Sequence, residues 1–339
     1  MAGVKILDCT LRDGGYVNSW KFGEDLINKI VGSLTSSSID IIEIGYLNDK
    51  AESDPSSVLF CTMDDVARII PKNRGNSEFV VMADVNQVKY SDILPRNLNS
   101  GHPDGVRVVF YKQDIAKAFS FCKHIKDLGY KLFVQPMVTI DYTKSEYSEL
   151  VHDFSSLNPD GVAIVDSFGM MGPEDFHFYY QILDEILPST TAIGYHSHNN
   201  LDASVSVALD ALKRRHSRQI ILDSSMLGMG RGAGNLKTEI TAKLYNETIK
   251  QKYDLIELVS NVYTKLEAIK SKNPWGPNVF YYLTASLGYH PNYAGYLLPK
   301  YPNLTVIQFT EFLKSVPEEL KTNCKKDRVI RQFEALQKD

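Results

Sequence analysis

Cysteine is scarce and scattered. Cys9, Cys61, Cys122 and Cys324 are the four in the chain, none in CxxC spacing, so neither a disulfide framework nor a thiolate metal site is indicated. Charge of one sign is also lacking. The 37 Lys and Arg stand against 41 Asp and Glu, a formal net charge of −4, and nothing favours a nucleic-acid partner. No apolar run approaches the roughly 20 residues that span a bilayer, so no membrane association is expected. The amino terminus opens with strand-like residues 4–8 in place of an apolar signal core, and a cytoplasmic location is expected. Low-complexity tracts are absent.

What is present has ordinary globular proportions, with 43% hydrophobic and 23% charged residues. A chain of 339 residues can bury a large core, enough for one α/β barrel with an appendage. Short β-branched runs alternate with longer helix-like segments, the pattern of βα units. Eight strands are expected, at Val4–Cys9, Asp40–Gly45, Glu78–Asp84, Gly105–Phe110, Lys131–Val138, Gly161–Asp166, Ala192–His196 and Gln219–Asp223. Helices are expected at Gly23–Leu34, Asp114–Leu128, Ser145–Phe154, Pro173–Leu187, Asp202–Lys213 and Leu236–Lys250. Several strands are continuously apolar, as buried parallel strands are, and eight such units close into a TIM (β/α)8 barrel. A doubly wound sheet is the alternative. The barrel domain is placed at residues 1–250 and a C-terminal helical region at 251–339. There the break Asn273-Pro-Trp-Gly-Pro277 precedes a crowd of tyrosines (Tyr281, Tyr282, Tyr289, Tyr293, Tyr296, Tyr301) and helix-like Val306–Ser315 and Asp327–Leu336. Such a cluster is expected to pack or form an interface.

Polar residues gather at the carboxyl ends of the runs: Asp8, Glu43, Asp84, Arg107, Gln135, Asp166, His196, His198 and Asp223. In a barrel those ends form one face, where catalytic groups collect. Arg107 and Asp166, with Ser167 beside it, are the expected substrate-binding groups. In Gly194-Tyr-His-Ser-His-Asn-Asn200 the two histidines sit two apart, so a strand would present both imidazoles on one face to a metal ion. Two unrelated surface histidines fit the motif equally, and the motif alone leaves both readings open.

Leu7-Asp-Cys-Thr-Leu-Arg-Asp-Gly-Gly15 resembles the DxTLRDG signature of the DRE-TIM metallolyases. Gly194-Tyr-His-Ser-His-Asn199 resembles their GxHxHN strand and Gly228-Met-Gly-Arg-Gly-Ala-Gly-Asn235 their GxGxxxGN loop. The resemblance spans residues 4 to 250, and within the superfamily pyruvate aldolases of the 4-hydroxy-2-oxovalerate type are the nearest match. It implies Asp13, His196 and His198 as ligands of a divalent metal (Mn²⁺, Mg²⁺ or Co²⁺), with Asn235 at or just outside that shell. Arg12 is implied as the cation that holds the enolate oxygen, Glu43 as an active-site carboxylate, and Asp8 as a buttress to the metal ligands. The implied activity is an aldolase or lyase that makes or breaks a C–C bond through the enolate of a 2-oxo acid held on that metal, with an aldehyde as second substrate. An acyl-CoA-dependent Claisen synthase of the same superfamily, or a barrel that has lost catalysis and serves as a partner subunit, are the alternatives. A homo-oligomer is expected, and a dehydrogenase partner that receives the product is a further expectation.

One departure stands out. The pyruvate aldolases carry a histidine acid/base two positions beyond the RDG glycine, where this chain has Tyr16. An ordinary phenol titrates near 10 and is a poor base at neutral pH. Tyr16 is therefore expected to line the aldehyde pocket, with Glu43 or a metal-bound water moving the proton.

Overall fold

A computed structural model describes residues 3–97, 101–214 and 216–337. Eight parallel strands form a closed barrel: β1 (Val4–Asp8), β2 (Ile41–Leu47), β3 (Glu78–Asp84), β4 (Gly105–Phe110), β5 (Lys131–Pro136), β6 (Gly161–Asp166), β7 (Ala192–Ser197) and β8 (Ile220–Ser224). Closure is direct, because β1 pairs with β8 from Val4↔Ile220 to Asp8↔Ser224 and on its other edge with β2 at Leu7↔Ile41. The TIM barrel expected from the βα alternation is the fold observed. β3, β4 and β6 begin and end where the sequence places them, β1, β5 and β7 begin there, and the remaining boundaries move by one or two residues. β4, β6 and β7 are buried along their whole length, since helices cover the barrel outside and side chains fill it inside.

The helices carry readable start signals. Thr143 accepts from Glu146 N while Glu146 accepts from Thr143 N, a reciprocal cap on Lys144–Ser155. Pro173 opens Pro173–Ile186, and its Phe176, Tyr179, Ile182 and Leu183 form one buried stripe. Sequence patterning missed the short elements: the helices Gly15–Asn18 and Met63–Ala67, and the two-residue strand Leu59–Phe60 that pairs with the end of β2. No helix among the described residues is long and apolar enough to cross a membrane.

Inside the barrel the period-2 alternation stacks side chains in layers. Leu7, Ile41, Val80, Phe133, Ala192 and Ile221 form an apolar floor. Above it lies a layer of charged and polar groups from β2, β4, β5 and β8, and above that the mouth. Helices Leu255–Ser260 and Tyr263–Lys272 send Leu258 and Leu266 into the core around the barrel, and Trp275 joins them. Tyr289, Tyr293, Leu297, Phe309, Phe312 and Phe333 build a separate C-terminal core.

Candidate metal centre

The turn after β1 places the first ligand candidate. Arg12 and Asp13 both donate backbone N–H to Cys9 O, at 3.1 and 2.8 Å, which curls the chain back over the strand end. Gly14 permits this closeness, because a Cβ there would stand 2.2 Å from Thr10 O. At the end of β7 the i, i+2 spacing sets His196 and His198 on one face, their rings edge to face with centroids 5.4 Å apart. The loop after β8 folds over both. His198 bridges backbone to Asn235, and Asn199 N donates to Gly234 O at 2.8 Å. Gly230 is needed here: a Cβ would lie 2.7 Å from Asn235 Nδ2 and 3.0 Å from Asp13 Oδ2.

The three motifs thus meet. One ligand atom each from Asp13, His196 and His198 lies within 4.8 Å of the others, and all three residues are buried. Asp13 Oδ1 faces His196 Nε2 at 4.0 Å and accepts from Arg12 Nη1 at 2.5 Å, while Asp13 Oδ2 accepts from Asn235 Nδ2 at 2.8 Å. His196 Nδ1 lies 3.0 Å from Asp223 Oδ2, so the carboxylate fixes the tautomer and leaves Nε2 as a lone-pair donor toward Asp13. His198 Nδ1 and Asn235 Oδ1 are buried without a hydrogen-bond partner among the described residues. Such orphaned acceptors are costly unless something fills them.

Below the centre runs an ion-pair layer. Glu43 Oε2 accepts from Arg12 Nε at 2.7 Å and pairs with Arg107 Nη1 at 2.9 Å. Arg107 Nη2 donates to Gln135 Oε1 at 3.0 Å and to Asp223. Burial opposes charge on Asp13, but the Arg12 guanidinium against it holds its carboxyl well below the usual range. Burial likewise opposes charge on Asp223, and Arg107 together with the hydrogen bond to His196 outweighs it, so this carboxyl is also lowered. Burial pushes the His198 imidazole down to about 3, which keeps it neutral and able to bind a metal. Two guanidinium groups (Arg12, Arg107) face three carboxylates (Asp13, Glu43, Asp223). The surplus negative charge, the neutral His198 imidazole and the orphaned acceptors together fit a divalent cation.

A cavity of ≈ 90 Å³ opens above this centre and is lined by Arg12, Asp13, Tyr16, Ser167, His196 and His198, among others. Glu43, Arg107 and Asp166 do not line it. Glu43 and Arg107 lie in the layer beneath. Asp166 occupies an outward position of β6, where its carboxylate accepts Met170 N at 2.9 Å and Met171 N at 3.1 Å and holds the following loop. Asp8 also points outward and accepts from Thr238 Oγ1 at 2.6 Å and Thr10 N at 2.9 Å, without touching the ligand cluster. Sequence reasoning overlooked Tyr46, Met82, Tyr111, Met137 and Arg231 on the cavity wall. Tyr46 reaches it through a register shift in β2 between Glu43 and Tyr46. Gly45, at φ +150°, makes the shift, since a Cβ would meet Val58 O at 2.2 Å. A regular strand would turn Glu43 and Tyr46 to opposite faces; the bulge turns both inward. Tyr16 lies with its ring edge-on to Trp20 at 4.6 Å and under the Arg231 guanidinium at 4.3 Å.

The family described as HMGL-like matches residues 108–262. The 4-hydroxy-2-oxovalerate aldolase of Carboxydothermus hydrogenoformans is 26% identical over 308 residues, covering 87% of this chain and 85% of its own. An oxaloacetate decarboxylase of Mycobacterium tuberculosis is 25% identical over 237 residues, 69% of this chain and 67% of its own. In three dimensions the N-terminal domain of a putative aldolase from Bacteroides vulgatus superposes with a TM-score of 0.77 at 24% identity, covering 92% of this chain and all (100%) of that domain, a likeness of fold.

Proposed function

We propose that this chain, which belongs to the DRE-TIM metallolyase superfamily, is a divalent-metal-dependent carbon–carbon lyase that works through the enolate of a pyruvate-type 2-oxo acid. The observation that carries the reading is the convergence of Asp13, His196 and His198 beside Arg12, buried and on the wall of the same cavity: a metal site needs no Arg12, but an enolate does. The named reactions of the relatives agree. Aldol cleavage of 4-hydroxy-2-oxovalerate and decarboxylation of oxaloacetate both break the bond next to C3 of a 2-oxo acid, and both leave the enolate of pyruvate.

Asp13, His196 and His198 would hold the metal, with Asn235 at its edge, and Mg²⁺, Mn²⁺ and Co²⁺ all suit one carboxylate and two imidazoles. When bound it supplies Lewis acidity to the 2-oxo acid and fixes its orientation. Arg12, held by Glu43 and Asp13, offers a guanidinium that stays charged as negative charge grows on the enolate oxygen. Glu43, with Oε2 between two guanidinium groups, acts as a positioning residue, as Arg107 does through Asp223 and His196. Ser167 contributes to the substrate wall, and Asp166 supports the loop beside it.

The proton is carried by Asp84. It lines the cavity, burial raises its carboxyl above the ordinary range, and Oδ2 accepts from the Tyr46 hydroxyl at 3.3 Å. A raised carboxyl next to a phenol can take the proton of a substrate hydroxyl as an aldol bond breaks. Tyr16 belongs to the aldehyde wall. A cytoplasmic homo-oligomer, with a dehydrogenase as recipient of the aldehyde, completes the proposal.

Metal-dependent exchange of deuterium into the methyl group of pyruvate tests the reading, since it requires enolisation and no aldehyde. The parent should exchange with Mn²⁺ and stop with a chelator. Asp84→Asn should retain metal and lose aldol turnover by about 100-fold or more. Absence of exchange with metal in place would remove the lyase reading, and full turnover in Asp84→Asn would remove the base.

A further inference from the structure

We propose that the carbonyl compound joined to or released from the 2-oxo acid is a sugar-sized aldehyde bearing a phosphate or carboxylate, with Arg231 as its anion-binding, specificity-determining residue. The inference rests on the lyase reading above and names the second substrate of the same site.

A cleft of ≈ 760 Å³ lies beside the metal-site cavity, between the loop after β8 and the C-terminal helices. The two spaces share Tyr16 and Arg231 on their walls, so each opens on the same pair of side chains. A two-carbon aldehyde has no use for the larger space, whose volume falls in the range of about 300–1,000 Å³ that houses ligands of metabolite and drug size. Among the prolines of its lining stand Trp275, Asn278, Tyr281, Asn292 and Tyr296, amide and aromatic side chains of the kind that grip hydroxylated carbon chains. Arg231 and Lys272 stand on the wall, and no aspartate or glutamate does.

Arg231 itself is exposed, and its guanidinium is engaged by the Tyr16 ring at 4.3 Å. No ion pair or hydrogen bond to it occurs among the described residues, a contrast with Arg12 and Arg107 just below, each tied to two carboxylates. A stacked guanidinium keeps its fork of N–H donors free, and that fork matches a carboxylate or phosphate. The cleft is also preformed. Trp275 Nε1 donates to Leu227 O at 3.0 Å and Gly276 N to Gly232 O at 3.3 Å, which ties its far wall to the loop that carries Arg231. The reaction needs nothing else: the bond forms between C3 of the 2-oxo acid, which loses a proton, and the aldehyde carbon, whose oxygen gains one.

The test uses two matched pairs as pyruvate acceptors, glyceraldehyde 3-phosphate against glyceraldehyde and succinic semialdehyde against butanal. The parent should prefer the anionic member of at least one pair by roughly 10- to 100-fold in kcat/KM, the worth of a charge-assisted contact. Which pair responds separates phosphate from carboxylate. In Arg231→Gln the ratio should collapse to within a few-fold, through KM more than kcat, and Arg231→Lys should restore part of it. Ratios near one in the parent, or a ratio unchanged in Arg231→Gln, overturn the proposal while pyruvate deuterium exchange leaves the lyase reading intact. If exchange itself fails, calorimetry on the full chain with glycerol 3-phosphate and with succinate still decides the site. Binding lost in Arg231→Gln upholds it, and no binding to the parent sinks it.

Discussion

Arg12 and Tyr16 sit four residues apart and do different work. Arg12 is buried, its Nε fixed by Glu43 and its Nη1 by Asp13, so it is oriented before substrate arrives. Losing one preorganised donor to a developing oxyanion costs about 3 kcal/mol, on the order of 100-fold in rate. Arg12→Ala should therefore keep its metal by elemental analysis and lose turnover on that scale; a kcat within a few-fold of the parent would remove Arg12 from the chemistry. Tyr16 is 37% exposed and makes its contacts through its ring, against Trp20 and Arg231. Tyr16→Phe preserves those faces and should retain most activity, whereas Tyr16→Ala removes the shelf under Arg231 and should raise the aldehyde KM. A Phe variant down by several orders of magnitude in kcat, with metal intact, would make the phenol the acid/base.

Elements translate sequence spacing into direction, and that is where reading the sequence succeeded and stopped. His196 and His198 were legible because a strand repeats every two residues, and Asp13 because its motif sits at the end of β1. The same rule shows why a strand-end carboxylate need not face the site. Asp166 follows inward-facing Val165 and so points out, to hold a loop. Tyr46 was illegible for the opposite reason: the bulge at Gly45 breaks the alternation, and only the backbone reveals it. Arg231 lies in a loop, where no period fixes direction. The Asp166 loop has a pH signature. Burial raises this carboxyl from 3.8 to about 7 in the folded chain. Between those values the native state holds a proton that the unfolded state has released. The contribution is thus full below about pH 4 and is lost as pH rises through 7. Urea midpoints at pH 5 and pH 8 should show the parent losing stability relative to Asp166→Asn; a difference independent of pH would mean that Asp166 titrates like an exposed carboxyl.

At the scale of the molecule, we propose a barrel unit through residue 250 and a helical region over 251–339, the latter leaning on the barrel through Leu258 and Leu266 while Phe309 and Phe312 anchor a core of its own. The metal centre ties together what lies far apart in the chain: Asp13 after β1, His196 and His198 at the end of β7, and Asn235 after β8. An unfolded chain has no such cluster, so metal binds the native state alone and stabilises it by mass action. At a free metal concentration 100 times the Kd the gain is about 2.7 kcal/mol, several degrees in Tm for a chain of this size. Chelation should lower the Tm of the parent and added Mn²⁺ should restore it. His198→Ala takes away an imidazole whose Nδ1 has no other partner among the described residues, so the apo fold should survive the change. Its melting curve should then be the same with and without chelator, and its metal content after dialysis should fall far below one per chain. Full metal in that variant, or a parent whose Tm ignores the chelator, would separate these histidines from metal binding and leave Arg12 and Asp223 to account for the buried charge.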